Sequence, residues 1–589
     1  MKQEWVTGAL TAGALAAAVI LPAALITPIP HTGGDNAGYL TLAHSLLERG
    51  AYLDLWDLRE PIHTKYPPIF PLLLAIPMAL GVNSWMGFKL VPLFFSVVGL
   101  LLFHGWVRRR EGVVLAAAAT LLLALAPDFL QGTRWLLSEP PFLAFTLLAL
   151  WLARTGDPPP GEAHPAISQA RGGNTEGSRV RGGGSGDTMG PVRLALLTGA
   201  VILAFFTRSA GLPLVLALLA WLVIHGRWKP LPWVGAGVLV PAFLWWLRAQ
   251  RGGEPDYVAE FWMVDPYRPE LGTAGAGELA GRVVANAQGY LLEYLPGGLF
   301  ALPDPLLAGA GMILFVLAGL GWSLRLRQGV GLAELFLPLY AGVLLLWPEV
   351  WAGGRFALPL FPLLLYYGGV ALFWVGRRLP ASLALGAGVA IFLALTIPGA
   401  GAWWQEVQEN RGCTEWVRVA GPLACHSSAF QEFGAAARWT GERLPSGVGV
   451  LSRNPRHFYV LSGQAGQLFP LTANADEFLA GADALGAHVL IVDRLTALTD
   501  RYVVPVVRAT PTSFCFLAQV GDPQGISTQI LAILPPSQRN GAETERGDGV
   551  YLERCAQDFP AGGRSRDGTE GRALPPPQSP LVPFLAPRP

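Results

Sequence analysis

Several ionisable residues stand where apolar segments of this sequence begin or end. The stretch HTGGDNAGY, residues 31–39, directly follows a long apolar run and carries Asp35 and Tyr39. We consider two roles for the Asp35 carboxylate. It can cap the first free amides of a helix, or it can act as a general base held at a membrane surface. The two roles are compatible.

Basic and acidic side chains recur at the edges of other apolar segments. Lys65 precedes a rigid Pro-Pro in TKYPPIFP, where a lysine can serve as a point charge for a phosphate. Arg134 and Glu139 occur in TRWLLSEPP, Arg208 in FFTRSAGLPL and Arg355 in WAGGRFALPLFP. Ionisable residues at such depths are costly, so each is a functional candidate, with a structurally paired side chain as the alternative. Together they predict an outer ring of both charge signs.

Composition identifies the broad class of protein that must position these residues. Of the 589 residues, 52% are hydrophobic, only 14% are charged and 20 are tryptophan. The chain is far more apolar than an ordinary soluble protein, which indicates a polytopic protein of the lipid bilayer. Its 42 Lys and Arg nearly balance its 41 Asp and Glu. This balance gives no sign of a nucleic-acid partner, which would require a concentrated basic face.

A bilayer core requires roughly 20 apolar residues per helix. The Pro-rich segment 67–81 is too short by this measure, and we interpret it as re-entrant or interfacial. The segments between 192 and 226 are also short, so one long helix broken at 207–211 is an alternative there. The predicted spans lie near residues 5–28, 86–107, 112–130, 136–153, 192–206, 211–226, 231–249, 303–324, 331–348, 356–376 and 380–401.

The positions of Lys and Arg in the short loops predict the orientation, because these residues favour the cytoplasmic side. They place the N-terminus in the cytoplasm and everything after residue 402 outside. The first apolar run is longer than the core of a secretory signal, so we interpret it as a signal anchor rather than a cleaved peptide. The expectation is about 11–12 transmembrane helices in residues 1–402.

The remaining segments differ in composition. Residues 155–190 are rich in Gly, Pro and Ser and are expected to form a disordered cytoplasmic spacer. Residues 403–536 include alternating helix and strand patterns, which predict a small extracytoplasmic α/β domain. The predicted helices are EFGAAARWTGERL and ADEFLAGADALG, and the predicted strands are VGVLS, HVLIVD and SFCFLAQV. Residues 537–589 are predicted to be a disordered tail.

Two large outer loops are predicted, at 31–66 and 250–302. The first contains Asp57 and His63 and a segment, 36–49, whose apolar spacing predicts an amphipathic helix lying in the membrane interface. The second is rich in aromatic residues. These can form an interfacial belt or close over a sugar.

The cysteines all lie in the outer part of the chain, which suits an oxidising compartment. Cys413 and Cys425 are the expected disulfide pair because the loop between them is short, with free thiols as the alternative. No Cys or His spacing indicates a zinc site.

The order of these motifs resembles that of the GT-C membrane glycosyltransferases. The resemblance covers most of residues 1–400 and is to the branch of dolichyl-phosphate-mannose protein mannosyltransferases and the bacterial aminoarabinose transferase. The motifs that carry it are DNAGY at 35–39, KYPP at 65–68, GVN at 81–83, SE at 138–139, TRSAGLP at 207–213 and RFALPLFP at 355–362.

This resemblance implies an inverting glycosyltransferase of a bacterial inner membrane. Its donor would be a polyprenyl-phosphate sugar, and its acceptor a hydroxyl of a protein, lipid or glycan. Asp35 would accept the acceptor's proton, and the departing phosphate would be bound by three cations. The cations are Lys65, Arg208 and Arg355. The residues expected to contact the substrate or a divalent cation are Glu139, Arg134, Tyr39, His63 and Asp57.

The chain departs from the family pattern at two places. Many members have Asp-Glu where this chain has Asp35 followed by Asn36, so a second carboxylate must come from elsewhere, for instance Glu139 or Asp57. The aminoarabinose branch has Lys-Pro-Pro where this chain has KYPP.

Two other functions are compatible with the sequence. A transporter or flippase of lipid-linked sugars would place polar residues deep within broken helices, whereas here they cluster at the outer rim. An inactive GT-C-like scaffold that binds through its outer domain is the other alternative. Convergence of Asp35, Glu139, Lys65 and Arg355 on one outer cavity would favour the enzyme.

Overall fold

The computed structural model describes residues 2–153, 189–251, 257–521 and 527–539. The predicted spacer at 155–190 lies outside these residues except for its last two, and the predicted tail lies outside them beyond Arg539.

Helices form most of the described chain up to Ala420, as a lipid environment requires of the backbone. Six of the described helices, or seven if a bent pair counts as one, are long and apolar enough to cross a membrane. The helices are α1 (Lys2–Ala23), α2 (Gly34–Glu48), α3 (Ile69–Ala79), α4 (Trp85–Glu111), α5 (Val113–Ala124), α6 (Pro127–Arg134), α7 (Glu139–Leu152), α8 (Pro191–Thr207), α9 (Leu212–Ile224), α10 (Leu231–Ala249), α11 (Tyr257–Trp262), α12 (Ala276–Gly289), α13 (Leu295–Leu299), α14 (Asp304–Leu326), α15 (Leu332–Leu346), α16 (Gly354–Ala357), α17 (Phe361–Gly376) and α18 (Ala381–Ala420).

Each predicted span overlaps one of these helices or a bent pair. The predicted class, an α-helical polytopic membrane protein with a small C-terminal α/β domain, is confirmed. The segment 67–81 forms α3, whose 11 residues rise only about 16 Å, roughly half of a bilayer core. The last predicted span, 380–401, continues without a break to Ala420 as the 40-residue helix α18.

The span predicted at 112–130 is not straight. Helices α5 and α6 meet at an angle of 60°, because Ala126 is extended and Pro127 opens the next helix. A residue before proline is driven out of the helical region, and proline has no amide to continue the ladder. Helices α8 and α9 are likewise separated by extended Arg208 and a short turn, Ser209–Gly211. This break lies within residues 207–211, where the sequence analysis placed the break of one long helix as an alternative.

The predicted interfacial position of the first-loop helix was wrong. Helix α2 is buried from Asn36 to Ala43 without interruption. It packs against α3 on one side and against a helix of the outer domain, Pro455–Ser462, on another. The helix therefore forms part of the protein interior, and its apolar stripe alone could not reveal the second partner.

The outer domain contains a five-stranded sheet in the order β2-β1-β3-β5-β4. Strand β1 runs parallel to β2 and β3, while β5 is antiparallel to β3 and β4. Separate apolar clusters pack inside the domain around Phe433 and Phe478. Its elements are α19 (Ser428–Arg443), β1 (Gly449–Leu451), α20 (Pro455–Ser462), β2 (Gly466–Gln467), α21 (Ala475–Ala484), β3 (Ala487–Val492), α22 (Val504–Ala509), β4 (Phe514–Val520) and β5 (Thr528–Ile533).

Sequence analysis located β1, β3, β4, α19 and α21 but missed β2, β5, α20 and α22. Strand β5 has a continuous apolar run, TQILAI, which was a usable signal. Helix α20 had one too, because Asn454 followed by proline is a typical helix start, and the Asn454 side chain accepts from the amide of His457.

Ion pairs close the end of the helical bundle that lies away from the outer domain. Arg110 and Glu111 end α4, whose first residue, Trp85, stacks on His457 of the outer domain. Arg110 pairs with Glu334 at 3.6 Å, and Arg325 pairs with Glu111. These charges lie at helix ends, where they join α4, α14 and α15.

Candidate active site

A cavity of about 880 Å³ lies between the helical bundle and the outer domain. Its walls come from the first outer loop, from the end of α8 and the turn that follows it, from α15 and α16, and from the segments that follow β1, β2 and β3. The sequence-predicted residues that line it are Asp35, Tyr39, Asp57, His63, Lys65, Arg208 and Arg355. Residues far apart in the chain are thus brought to one place.

Asp35 lies in the first turn of α2 and does not cap it. The cap position is Gly33, and no side-chain hydrogen bond caps the helix. The Asp35 carboxylate instead accepts a hydrogen bond from the Tyr66 hydroxyl at 2.7 Å and one from Arg355 at 2.9 Å. The capping interpretation was therefore wrong, and the carboxylate faces the cavity.

The surroundings keep Asp35 ionised. Burial pushes the pKa of its carboxyl up, but the positive charge of Arg355, the hydrogen bond from Tyr66 and the charge of Arg456 together outweigh it. The pKa lies well below its usual range as a result. A hydrogen bond to the charged form of an acid acts in the same direction as a nearby cation.

Two arginines and one glutamate extend the network. Glu139 is 2% exposed and stands at the N-terminus of α7. Arg208 approaches its carboxylate at 2.8 Å, and Arg355 does so at 3.7 Å. Arg208 also donates to the hydroxyl of Ser138 at 3.0 Å. Because Arg355 contacts both carboxylates, one guanidinium links Asp35 to Glu139.

Lys65 also lines the cavity and is paired with the second outer loop. Its ammonium is 2.7 Å from Glu260 and stands 5.2 Å from the centre of the Trp351 ring. Tyr267 of the same loop also lines the cavity. Part of the aromatic segment 250–302 therefore faces the site, while Trp262 is exposed.

Tyr66 was not predicted as a site residue, and the structure makes it central. Its hydroxyl donates to Asp35 and receives a hydrogen bond from Arg456 of the outer domain. His63 accepts the Tyr66 backbone amide at 2.7 Å through Nε2 and contacts Asp54 at 2.6 Å through Nδ1. Both ring nitrogens of His63 thus have hydrogen-bond partners, and His63 fixes the backbone position of Tyr66.

Tyr39 also has a structural partner. Its hydroxyl is 2.9 Å from that of Ser138, and its ring packs against those of Tyr66 and Phe70. Asp57 accepts from the Arg59 amide at 2.9 Å and from the side chain of Gln467. It therefore lies in the wall next to the outer domain.

Two other positions point away from the cavity. Arg134 pairs with Glu406 of α18 and does not line the cavity. Asn36 is buried, donates to His31 at 2.8 Å and accepts from the amide of Leu136 at 2.8 Å. Asn36 therefore ties α2 to the chain before α7.

Arg456 is the second residue that sequence analysis missed. Its guanidinium lies 4.7 Å from the ring centre of Trp56 and 5.0 Å from that of Tyr66. The signal was the polar run SRNPR directly after the predicted strand VGVL. In parallel α/β sheets, ligands bind beyond the carboxyl ends of strands.

The donor set does not fit a divalent cation. No group of three or more His, Cys, Asp or Glu side chains within the described ranges is arranged to hold a metal ion. Glu139, one of the two second carboxylates considered above, shares the Arg355 guanidinium with Asp35, so a protein cation already pairs with the two carboxylates. We derive no step through a metal.

A disulfide joins Cys413, near the end of α18, to Cys425 in the following loop. Their Cα atoms are 5.8 Å apart, within the usual range for such a bond.

The helical bundle, the outer α/β domain and the cavity between them define a GT-C type fold. No protein-family model matches the chain, and no curated protein matches its sequence. Among solved structures, ArnT from Cupriavidus metallidurans in the apo state is 15% identical, with a TM-score of 0.50 over 92% of this chain and 100% of ArnT. The oligosaccharyltransferase AglB from Archaeoglobus fulgidus, in complex with an inhibitory peptide and a dolichol-phosphate, is 14% identical. Its TM-score is also 0.50, over 88% of this chain and 74% of AglB.

Both neighbours are GT-C glycosyltransferases. At these identities the likeness establishes a shared fold. The resemblance that the sequence motifs indicated is thereby confirmed at the level of the fold, and the match extends over most of the chain.

Proposed function

We propose that this protein is an inverting glycosyltransferase that moves a sugar from a polyprenyl-phosphate donor to an acceptor hydroxyl at the outer cavity. The observation that carries the proposal is the placement of an ionised carboxylate, Asp35, beside the linked cations Arg355 and Arg208. A base for the nucleophile and cations for an anionic leaving group are the two requirements of this reaction.

The proposed reaction forms one bond and breaks one. The acceptor oxygen attacks the anomeric carbon of the donor, and the bond from that carbon to the phosphate oxygen breaks. The leaving phosphate keeps the electron pair, and the acceptor proton passes to Asp35. Attack from the face opposite the phosphate inverts the anomeric configuration.

Arg355, Arg208 and Lys65 are the proposed phosphate ligands. All three are engaged by carboxylates in the structure, so a phosphate must share or replace these contacts. Fixed guanidinium groups in a water-poor site stabilise developing negative charge strongly. The proposed site thus holds its cations in place before the donor arrives.

Donor binding would also tune the base. Arg355 is the strongest of the groups that lower the pKa of Asp35. A phosphate that draws the Arg355 charge toward itself would weaken this effect and raise the proton affinity of Asp35. General bases work best when their pKa approaches the working pH, so a bound donor would prepare the base.

The lipid part of the donor has an apolar path beside these cations. Tyr340, Val343 and Leu344 of α15 line the same cavity as Arg208 and Arg355. The neighbour AglB was solved with a dolichol-phosphate, which is a lipid of the proposed class.

The arrangement of charges supports an enzyme over a transporter. A transporter with alternating access would open the end of the bundle away from the outer domain, and buried ion pairs of Arg110 and Arg325 close it in this structure. The ordered contacts of Asp35 support an active site over an inert scaffold.

The test is transfer by the purified full-length protein in lipid nanodiscs, with polyprenyl-phosphate sugars as donors. We expect Asp35→Asn to lower the rate by roughly 100-fold or more, the usual contribution of a general base. Asp476→Asn, which changes an exposed carboxylate of α21, is the control and should leave the rate unchanged. Unaltered transfer by Asp35→Asn would refute the role of the base.

A further inference from the structure

The carboxyl ends of three parallel strands of the outer domain open onto the cavity. Arg453 and Asn454 follow β1, Gln467 ends β2, and Thr496 follows β3, and all four line the cavity. The carboxyl edge of an open parallel sheet is the usual ligand-binding edge of α/β folds. The outer domain therefore presents its binding edge to the site that contains Asp35.

We propose that this edge is the acceptor subsite, and that Arg453 binds a carboxylate or phosphate carried by a glycan acceptor. The inference rests on the proposed function, and it adds the class of acceptor and the residue that recognises it.

Arg453 differs from Arg59, Arg208 and Arg355, three other arginines that line the cavity. Its Nε donates to the Thr496 hydroxyl at 2.9 Å, and its guanidinium lies 5.3 Å from the ring centre of Tyr267. Arg208 and Arg355 pair with carboxylates, as does Arg59. Arg453 forms no ion pair with any residue in the described part of the chain. Asp493 interacts electrostatically with Arg453 and accepts its backbone amide at 3.4 Å, but it forms no salt bridge with the guanidinium. A guanidinium that no carboxylate contacts is suited to an anionic group.

The neighbouring groups suit a saccharide. Gln467 donates to Asp57 through its amide nitrogen, while its Oε1 has no hydrogen-bond partner among the described residues and can accept from a sugar hydroxyl. Tyr267, which is partly exposed beside Arg453, offers an aromatic ring with a polar edge. Arg453 thus matches the anionic group of an acidic glycan, and the neighbouring side chains match its sugar.

A peptide acceptor fits this edge less well. Peptides commonly bind by adding a strand to an exposed sheet edge. Strand β2 is the edge strand on this side, and its Gly466 amide already donates to the Trp56 carbonyl at 2.6 Å. The first outer loop thus occupies the backbone position that a peptide strand would use.

The subsite is joined directly to the proposed base. Arg456, three residues after Arg453, donates to the Tyr66 hydroxyl, which in turn donates to Asp35. A glycan held at Arg453 would therefore extend its hydroxyl toward Asp35 along a wall made by the outer domain.

The experiment measures binding and needs no transfer. Dissociation constants of glucuronate, glucose 6-phosphate, glucose and inorganic phosphate are determined for the full-length protein in nanodiscs by calorimetry. We expect Arg453→Gln to weaken glucuronate or glucose 6-phosphate by roughly tenfold, the effect of one charge-assisted hydrogen bond. Glucose should be unaffected. Comparison of the two acidic sugars shows which anion is preferred.

The control is Arg508→Gln, which removes an exposed arginine at the end of α22 and should leave all four constants unchanged. Equal binding of the acidic sugars by native protein and Arg453→Gln would overturn the proposal, as would tighter binding of glucose than of either acid. Polyprenyl-phosphate affinity, measured in parallel, should not change in Arg453→Gln. If Asp35→Asn retains transfer while Arg453→Gln loses acidic sugars, the proposed base fails and the subsite stands.

Discussion

Single residues at this site act through pairs that the sequence does not show. Asp35 is bound by Tyr66 and Arg355, which lie 31 and 320 positions further along the chain. The first of these partners was not predicted. The Tyr66 hydroxyl also accepts a hydrogen bond from Arg456. Tyr66 therefore couples the position of the outer domain to that of the proposed base.

At this scale we predict the effect of Tyr66→Phe. The change removes a hydrogen bond that lowers the pKa of Asp35, so that pKa should rise. A base with a higher pKa is protonated at higher pH, and the acidic limb of the kcat/KM profile should move to higher pH. The rate near neutral pH should fall roughly tenfold, because the hydrogen bond that positions the charged Asp35 carboxylate is lost and this loss exceeds the gain in basicity.

The measurement is kcat/KM against pH for native protein, Tyr66→Phe and Tyr294→Phe. The last variant removes a hydroxyl from a partly buried tyrosine outside the Asp35 network and should keep the native profile. An acidic limb that stays in place in Tyr66→Phe would show that its hydroxyl does not control Asp35.

At the scale of elements, two glycines in α2 allow the outer domain to approach. A Cβ on Gly34 would lie 3.0 Å from the Asn454 side chain, and one on Gly38 would lie 3.1 Å from Arg456. Being four residues apart, the glycines share one face of the helix. The first turn of α20 therefore packs directly against the backbone of α2.

We predict that Gly38→Leu displaces Arg456 and Tyr66, because the added side chain has no space on that face. Overpacking of this kind costs about 1–3 kcal/mol, and transfer should fall with it. Thermal unfolding and transfer are both measured. Gly281→Leu, at a helical glycine of α12 with no neighbouring atom within 4 Å, should change neither. Native stability and transfer in Gly38→Leu would contradict the close packing.

At the scale of the whole molecule, the buried His457 and the partly buried His31 and His426 mark the junction of the two parts. Burial and nearby positive groups lower the pKa of His31 to about 3 and that of His426 to about 4, and burial and His426 lower that of His457 to about 3. His31 accepts the Gly33 amide at 2.9 Å, and His457 stacks on Trp85 of α4. All three are neutral in the folded protein at neutral pH.

We therefore predict that mild acid loosens the outer domain. A histidine with a lowered folded pKa stabilises the fold above its unfolded pKa of about 6.5 and loses that effect as the pH falls toward the folded value. For the fully buried His457 the loss at pH 5 is about 2 kcal/mol. Hydrogen exchange in α20, corrected for the intrinsic pH effect, should be faster at pH 5 than at pH 7.5.

Two variants distinguish the titration of the junction histidines from acid denaturation of the whole protein. His457→Gln should reduce the pH dependence of exchange in α20, since one titrating group is gone. His488→Gln, at an exposed position of β3, should leave it as it is. Exchange in α20 that is independent of pH in the native protein would contradict a titrating junction.

The sequence by itself determined the helical membrane class, the order of its helices and the α/β character of the outer domain. These follow from local signals: apolar length against bilayer thickness, and the alternation of helix and strand patterns. It also singled out Asp35, Lys65, Arg208 and Arg355, because charges at the edges of apolar segments are costly.

Only the tertiary structure decided which of these residues meet. Arg134 lies elsewhere with Glu406, Asn36 serves as an internal tie, and Tyr66 and Arg456 join Asp35. Helix α2 looked amphipathic from its own residues, yet it is buried because α20 covers its second face. Contacts between distant segments depend on how the helices pack. Neither the composition of one segment nor the spacing of its residues tells which other segment it will pack against.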